Sequence, residues 1–231
     1  MIRFEHGDAR ELAKTVEGPI NCIITDPPYG VDHQSNFAQT EEGKQYTRRI
    51  EADGDINMAT KLFFEVMEPL VEKLADEAEL YIFTSWKVLR AWQINVDTLG
   101  CGIRVANVLV WEKGWPGLGD LEHNWAFSWE AIIYAKKGKR PIKNRRCSVL
   151  AIDRPSPSQI IHPTEKPPEL IQELLVQSTE PGDLVVDPFA GSGSTLVACK
   201  NLGRNAIGFE IDDRYFKDAS KRLSQGNLWA G

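Results

Sequence analysis

Short apolar runs alternate along the chain with longer segments in which apolar residues recur every three or four positions. The runs Ile2–Phe4, Ile20–Thr25, Glu79–Thr84, Val105–Trp111, Glu130–Ala135, Leu184–Asp187 and Asn205–Glu210 read as strands. The segments Ala9–Val16, Lys87–Leu99, Pro168–Ser178, Ser194–Leu202 and Asp213–Leu223 fit helices. The longest predicted helix runs from Asn57 to about Asp76, with Met58, Leu62, Val66, Leu70 and Leu74 on one face and Pro69 marking a kink or an early stop. Strands separated by helices predict a mostly parallel α/β sheet. Val105–Trp111 and Glu130–Ala135 have no helical pattern between them, which predicts an antiparallel pair at one edge. No repeat interrupts this order, and the chain reads as one domain over residues 1–231. Two stretches look irregular, Val31–Ile56 and Lys136–Glu165. Connections of that length in a compact domain tend to carry function.

Two strand ends carry candidate chemistry. "TDPPYG" (25–30) follows the apolar run Ile20–Ile24. Two prolines donate no backbone hydrogen bond, so the ladder stops there. A rigid corner remains, with a carboxylate before it and a ring after it. It is either a plain strand exit or a clamp for something flat and polar. "VVDPFAGSGST" (185–195) is strand, acid, glycine-rich turn and helix. Gly191 and Gly193 permit a tight turn and close approach to bare backbone, and the helix that follows presents free N–H groups. No Gly-Lys-Ser/Thr follows, so it is not a nucleotide P-loop, and Leu196 stands where a dinucleotide fingerprint has its third glycine. Glu210 ends the next strand, near the spacing at which an acid reaches ribose hydroxyls. Together these features predict a nucleoside-containing cofactor.

The motifs "TDPPYG", "HPTEKP" (162–167), "DPFAGSGST" (187–195) and "GFEID" (208–212), in that order, resemble the S-adenosylmethionine-dependent DNA amino-methyltransferases of the permuted beta group. "HGDARE" (6–11) is similar to that family's motif just upstream of Asp-Pro-Pro-Tyr. The resemblance implies a doubly wound, Rossmann-like methyltransferase sheet, circularly permuted, with the two corners on adjacent central strands. It implies catalytic roles for Asp26, Pro27, Pro28 and Tyr29. It implies a cofactor site of Asp187, Phe189, Gly191, Ser192 and Gly193, with Glu210 on the ribose, Asp8 near the adenine end, and Lys166 and Thr164 toward the methionine carboxylate. S-adenosylmethionine is the implied cofactor, with no metal.

Chemistry explains why such a family uses this corner. An exocyclic amine such as adenine N6 is a poor nucleophile because its lone pair is delocalised into the ring. Acceptors on its two N–H groups keep density on nitrogen, and Asp26 and the Pro27 carbonyl can supply them. Tyr29 offers a face for an extruded base, worth ~1–3 kcal/mol in stacking. Asp-Pro-Pro-Tyr favours adenine N6 over cytosine N4 within the family. Cytosine C5 chemistry needs a nucleophilic Cys, and none of the four stands in a Pro-Cys setting. RNA or protein methyltransferases on a similar corner, and a catalytically silent DNA-binding module, are the competing readings.

Charge bears on the partner. The chain has 27 Lys and Arg against 33 Asp and Glu, for a formal net charge of −6. Yet "KKGKRPIKNRR" (136–146) is dense in base and free of acid. This cluster, with Lys139, Arg140, Lys143, Arg145 and Arg146, is expected to meet the phosphates of double-stranded DNA, as are Arg48 and Arg49. Candidate target-recognition segments are about 31–56 and 111–160. So small a recognition region implies a short site, a homodimer sharing the DNA, or relaxed specificity. Scattered cysteines and the lack of a membrane span or signal peptide predict a cytoplasmic protein of a bacterial or phage-infected cell. A partner restriction nuclease leaves no mark in the sequence.

Overall fold

The computed structural model describes residues 1–30, 54–114, 122–123, 125–154 and 165–225. Among these residues the strands are β1 (Ile2–His6), β2 (Ile20–Thr25), β3 (Leu74–Thr84), β4 (Arg104–Glu112), β5 (Trp129–Lys137), β6 (Val149–Ala151), β7 (Leu184–Asp187) and β8 (Asn205–Glu210). The helices are α1 (Ala9–Thr15), α2 (Ile56–Val71), α3 (Leu89–Thr98), α4 (Pro168–Ser178), α5 (Ser194–Asn201) and α6 (Asp213–Ser224). All eight strands form one sheet in the order β1-β8-β7-β2-β3-β5-β4-β6. β1, β8, β7, β2 and β3 run parallel, β5 is antiparallel to both β3 and β4, and β6 is parallel to β4.

The sheet is covered on both faces, and the strand sequences show why. Along β3, Leu80 and Ile82 join one apolar cluster while Tyr81 and Phe83 join the other; on β5, Ile133 and Ala135 oppose Ile132 and Tyr134 in the same way. Side chains alternate across a strand, so a continuous apolar run supplies two cores at once. The first cluster takes the buried faces of α1, α2 and α3, the second those of α4 and α5.

Three expectations are corrected. The longest helix stops at Val71, two residues beyond Pro69, and Leu74 opens β3. Proline withholds the N–H that would continue the ladder, and Leu74 finds a strand partner in Ile20 instead. The buried face of α2 is Ala59, Phe63, Val66, Met67 and Leu70, while Met58 is 51 % exposed. A strict four-residue repeat drifts by about 40° per step on a helix of 3.6 residues per turn, so Met58 leaves the face that Val66 and Leu70 share. The antiparallel pair β4–β5 forms as expected but does not end the sheet. β6 lies outside it, held by the Trp111 indole N–H donating to Ile152 O at 2.7 Å. Three residues between a basic run and a Pro/Ser-rich stretch give too little pattern to read as a strand. It follows that 111–160 is not one irregular segment, since it contains β5 and β6.

Candidate active site

From β2 the chain proceeds to β3 on one side, and from β7 it proceeds to β8 on the other. Strand order therefore reverses between β2 and β7, which pair directly through Cys22–Val185 and Ile23–Val186. In an open parallel sheet the crevice lies at such a point, beyond the carboxyl ends of the strands. Asp26 follows β2, and Asp187 ends β7. The two candidate motifs meet at the one place where this topology leaves room for a ligand.

The glycine turn is built from its own sequence. Asp187 is buried. Its Oδ2 accepts from Thr195 Oγ1 at 2.6 Å and its Oδ1 from the Phe189 N–H at 3.2 Å, tying strand end to helix start. Burial pushes the Asp187 carboxyl up to about 7, against these two donors. Gly191 has φ +51°, and among the described residues no atom beyond its chain neighbours lies within 4 Å of where its Cβ would be. That open space over bare backbone is what a ligand approaching the turn requires. Gly193 caps α5 with φ +76°, and Phe189 packs against the first core cluster. Ser192 and Ser194 share a 3.2 Å hydroxyl contact. Arg222 of α6 binds Glu165 at 2.7 Å and reaches Ser192 O at 3.4 Å, which joins the "HPTEKP" motif to the glycine turn.

Glu210 ends β8 beside that turn and accepts the Asp212 N–H at 2.7 Å. Burial raises its carboxyl. His6 of β1 pairs with Glu210 in register, so Asp8, two residues on, lies along the same rim. Asp8 is the N-cap of α1, accepting from the Arg10 backbone at 2.9 Å, and its Arg10 partner holds its carboxyl below the usual range.

The Asp-Pro-Pro-Tyr corner contains the least expected geometry. Asp26 Oδ2 accepts from Lys166 Nζ at 2.5 Å, so Lys166 sits on the β2 corner. Asp26 Oδ1 is buried and takes no hydrogen bond among the described residues, which leaves one acceptor over for a donor from outside. Lys166 also lies 3.4 Å from Glu130 Oε2, and Glu130 Oε1 accepts from Lys113 Nζ at 2.5 Å. Glu130 and Lys113 were absent from the sequence-based site. The signal available was an acid flush with the buried run Ala131–Ala135 and a lysine two residues past Trp111, at the close of β4. Pro27 is buried and Pro28 half-buried. The Tyr29 ring is only 8 % exposed and packs in the first core cluster, while its carbonyl accepts from the Trp92 indole at 3.4 Å. Gly30 follows with φ +75°, and a Cβ there would stand 2.4 Å from Ile56 Cα. Only glycine permits that approach of the corner to the start of α2.

The remaining predicted residues fall elsewhere. Thr164, Arg48 and Arg49 lie outside the described residues. The basic run leaves β5 at Lys137, which pairs with Ala78 near the start of β3, so it lies at the end of the sheet opposite Asp26. Its charge is also largely met inside the protein, which limits how much of the run is available to phosphate. Arg140 donates to Ser178 O at 2.7 Å and to Asp183 at 3.1 Å, Lys143 donates to Thr179 O and pairs with Glu180, and Arg146 pairs with Glu173. Lys139 and Arg145 are exposed. Of the tryptophans in 111–129, Trp111 is core and Trp125 is 95 % exposed.

A family model described as "DNA methylase", the N6/N4 methyltransferase model, matches residues 20–221. The chain belongs to that DNA methylase family. This methylase is 27 % identical to the type II methyltransferase M2.DpnII of Streptococcus pneumoniae, over 98 % of this chain and 91 % of that protein. It is 26 % identical to the DNA adenine methyltransferase YhdJ of Escherichia coli (strain K12), over 94 % and 81 % of the two chains. The crystal structure of M1.HpyAVI in complex with SAM superimposes with a TM-score of 0.75 at 26 % identity, covering 97 % of this methylase and 100 % of that chain. Asp-Pro-Pro-Tyr preceding the glycine turn in the chain, with both on adjacent central strands, is the permuted arrangement the motifs imply. No helix among the described residues is long and apolar enough to cross a membrane.

Proposed function

We propose that this methylase transfers a methyl group from S-adenosylmethionine to the N6 amine of an adenine extruded from double-stranded DNA. The observation that carries the reading is the pairing of β2 with β7 at the sheet's reversal point. That pairing brings an acid with an unused buried acceptor beside an open glycine turn. The cofactor supplies an electrophilic methyl on a sulfonium. Gly191 and Gly193 would hold it against bare backbone, which Asp187 and Thr195 tie in place, and Glu210 would accept from its ribose hydroxyls.

Asp26 and the Pro27 carbonyl accept the two amine hydrogens of the base. Their pull turns the lone pair out of conjugation and toward the methyl, and it strengthens as nitrogen gains positive charge. The product amine then loses one proton toward the Asp26 side of the pocket. Alignment of amine and methyl within van der Waals reach supplies much of the rate. Tyr29, seated in the core, fixes the corner and offers a ring edge or face to the base. Stretches within 31–56 and 111–128, together with a second protomer, are the proposed source of target recognition.

Base-resolution mapping of genomic DNA after incubation with protein and cofactor tests the reading. Methyl on adenine N6 at a defined site is the expected result. Methyl on cytosine N4, which the family also covers, would reassign the base. Label transferred only to RNA or protein would remove DNA as the substrate.

A further inference from the structure

Resting on that reading, we propose that Glu130 and Lys113 are positioning residues of the transfer, fixing the Lys166 ammonium and, through it, the Asp26 carboxylate. The four side chains form an alternating row of acid and amine, with contacts of 2.5, 3.4 and 2.5 Å from Asp26 through Lys166 and Glu130 to Lys113. Their side chains are 22, 8, 17 and 9 % exposed. They come from four separate places: the β2 corner, the segment before α4, the second residue of β5 and the residue just past β4.

A buried row of this kind is a poor way to hold strands together. Desolvation offsets most of its attraction, and apolar side chains of similar volume would pack as well or better. Apolar side chains could not hold a carboxylate oxygen in place. Lys166 is pinned from both sides, by Glu130 and by Asp26, and stacks over the Phe83 ring at 5.0 Å. With Oδ2 so fixed, the orientation of Oδ1 is fixed as well. Glu130 has a second effect. It draws part of the Lys166 charge away from Asp26, which keeps Asp26 a stronger acceptor than a full ion pair would. The charged groups around Asp26 are Lys166, Glu130, Lys113 and, across the crevice on β7, Asp187. Burial raises the Asp26 carboxyl, Lys166 lowers it, Glu130 raises it again and Lys113 lowers it.

Substitutions at the two remote members should therefore act in opposite directions. Glu130→Gln removes the acid that competes with Asp26 for Lys166, so the Asp26 carboxyl, followed by 13C NMR in protein without DNA, should titrate at lower pH. The acid limb of kcat should move the same way. Lys113→Met should move both to higher pH, and the double variant should return toward wild type. Each single variant should lose about 10–100-fold in kcat, as expected for a misaligned acceptor, with KM for the cofactor changed by less than about twofold. Loss of activity with the Asp26 titration and the acid limb unmoved would reduce the row to packing and overturn the proposal, as would wild-type rates in both variants. If Glu130→Gln does not fold, Lys113→Met carries the test. If wild-type protein methylates no DNA, the parent reading falls. The NMR titration then decides the coupling alone: displaced it stands, unmoved it fails.

Discussion

Thr195 Oγ1 donates to Asp187 Oδ2 at 2.6 Å, across the two glycines that separate the end of β7 from the start of α5. The bond closes the turn like a clasp and satisfies a carboxylate that is otherwise buried. Thr195→Val keeps the volume and removes the donor. An unmet buried acceptor costs about 1–3 kcal/mol, and the turn is where that cost falls. Cofactor affinity, measured by calorimetry, should drop roughly tenfold for each 1.4 kcal/mol that reaches the turn. Single-turnover transfer at saturating cofactor should stay near wild type. A variant that binds the cofactor normally would show that the clasp does not shape the turn.

Asp26 stands on the neighbouring strand and touches no part of the glycine turn directly. Asp26→Ala should abolish methyl transfer while calorimetric affinity for the cofactor changes little. It also takes from Lys166 the acid it contacts at 2.5 Å, so thermal stability should fall by a few degrees. Equal loss of transfer and cofactor binding would make the acid structural.

Gly30 brings the Asp-Pro-Pro-Tyr corner against the first turn of α2. Gly30→Ala must both adopt φ +75° and push Ile56 away. The strain of a left-handed alanine alone is about 1–2 kcal/mol, and the clash adds to it. Urea denaturation should show a midpoint well below wild type. An unchanged midpoint would mean the corner and α2 separate at no cost.

Glu79, far from the crevice on β3, is 1 % exposed, and burial pushes its carboxyl up to about 7. A raised acid binds its proton more tightly in the folded state. Its contribution is intact below pH about 4.5 and is lost as pH rises through about 7. Glu79→Gln removes that loss. At pH 8 the variant should be more stable than wild type, by at most about 3 kcal/mol, and the gap should close by pH 5. Denaturant midpoints of the two proteins at both pH values measure it. A gap that does not depend on pH would assign the effect to packing.

The basic run offers a test of where DNA lies. Neutralising Lys139, Arg140, Arg145 and Arg146 should lower stability through the lost Arg140 bonds to Ser178 and Asp183, yet leave the slope of log K against log salt for DNA binding near wild type. A slope reduced by several ions would return the run to the DNA surface.

The sequence made the alternation of strand and helix legible because β2, β7 and β8 are short, have mostly apolar interiors and end at or just before an acid. The Asp26 and Asp187 corners were legible for the same reason, since each motif is written in consecutive residues. Glu130 and Lys113 were not. They come to Lys166 only because β5 runs antiparallel to β3, and no local pattern announces which charged residue at a strand end will face another. The basic run misled in the opposite sense. Its density suggested solvent and phosphate, whereas Ser178, Thr179 and Asp183 lie where Arg140 and Lys143 can reach them.

Because β4 ends and β5 begins beside the crevice, the connection between Lys113 and Trp129 starts and finishes at the mouth of the pocket. Lys113 and Glu130 anchor its two ends to the row that reaches Asp26, so a change in its length or chemistry would be felt first at Lys113, at Glu130 and at the acid beyond them. A connection between two strands is thereby tied, through a row of four charged side chains, to the corner where β2 ends.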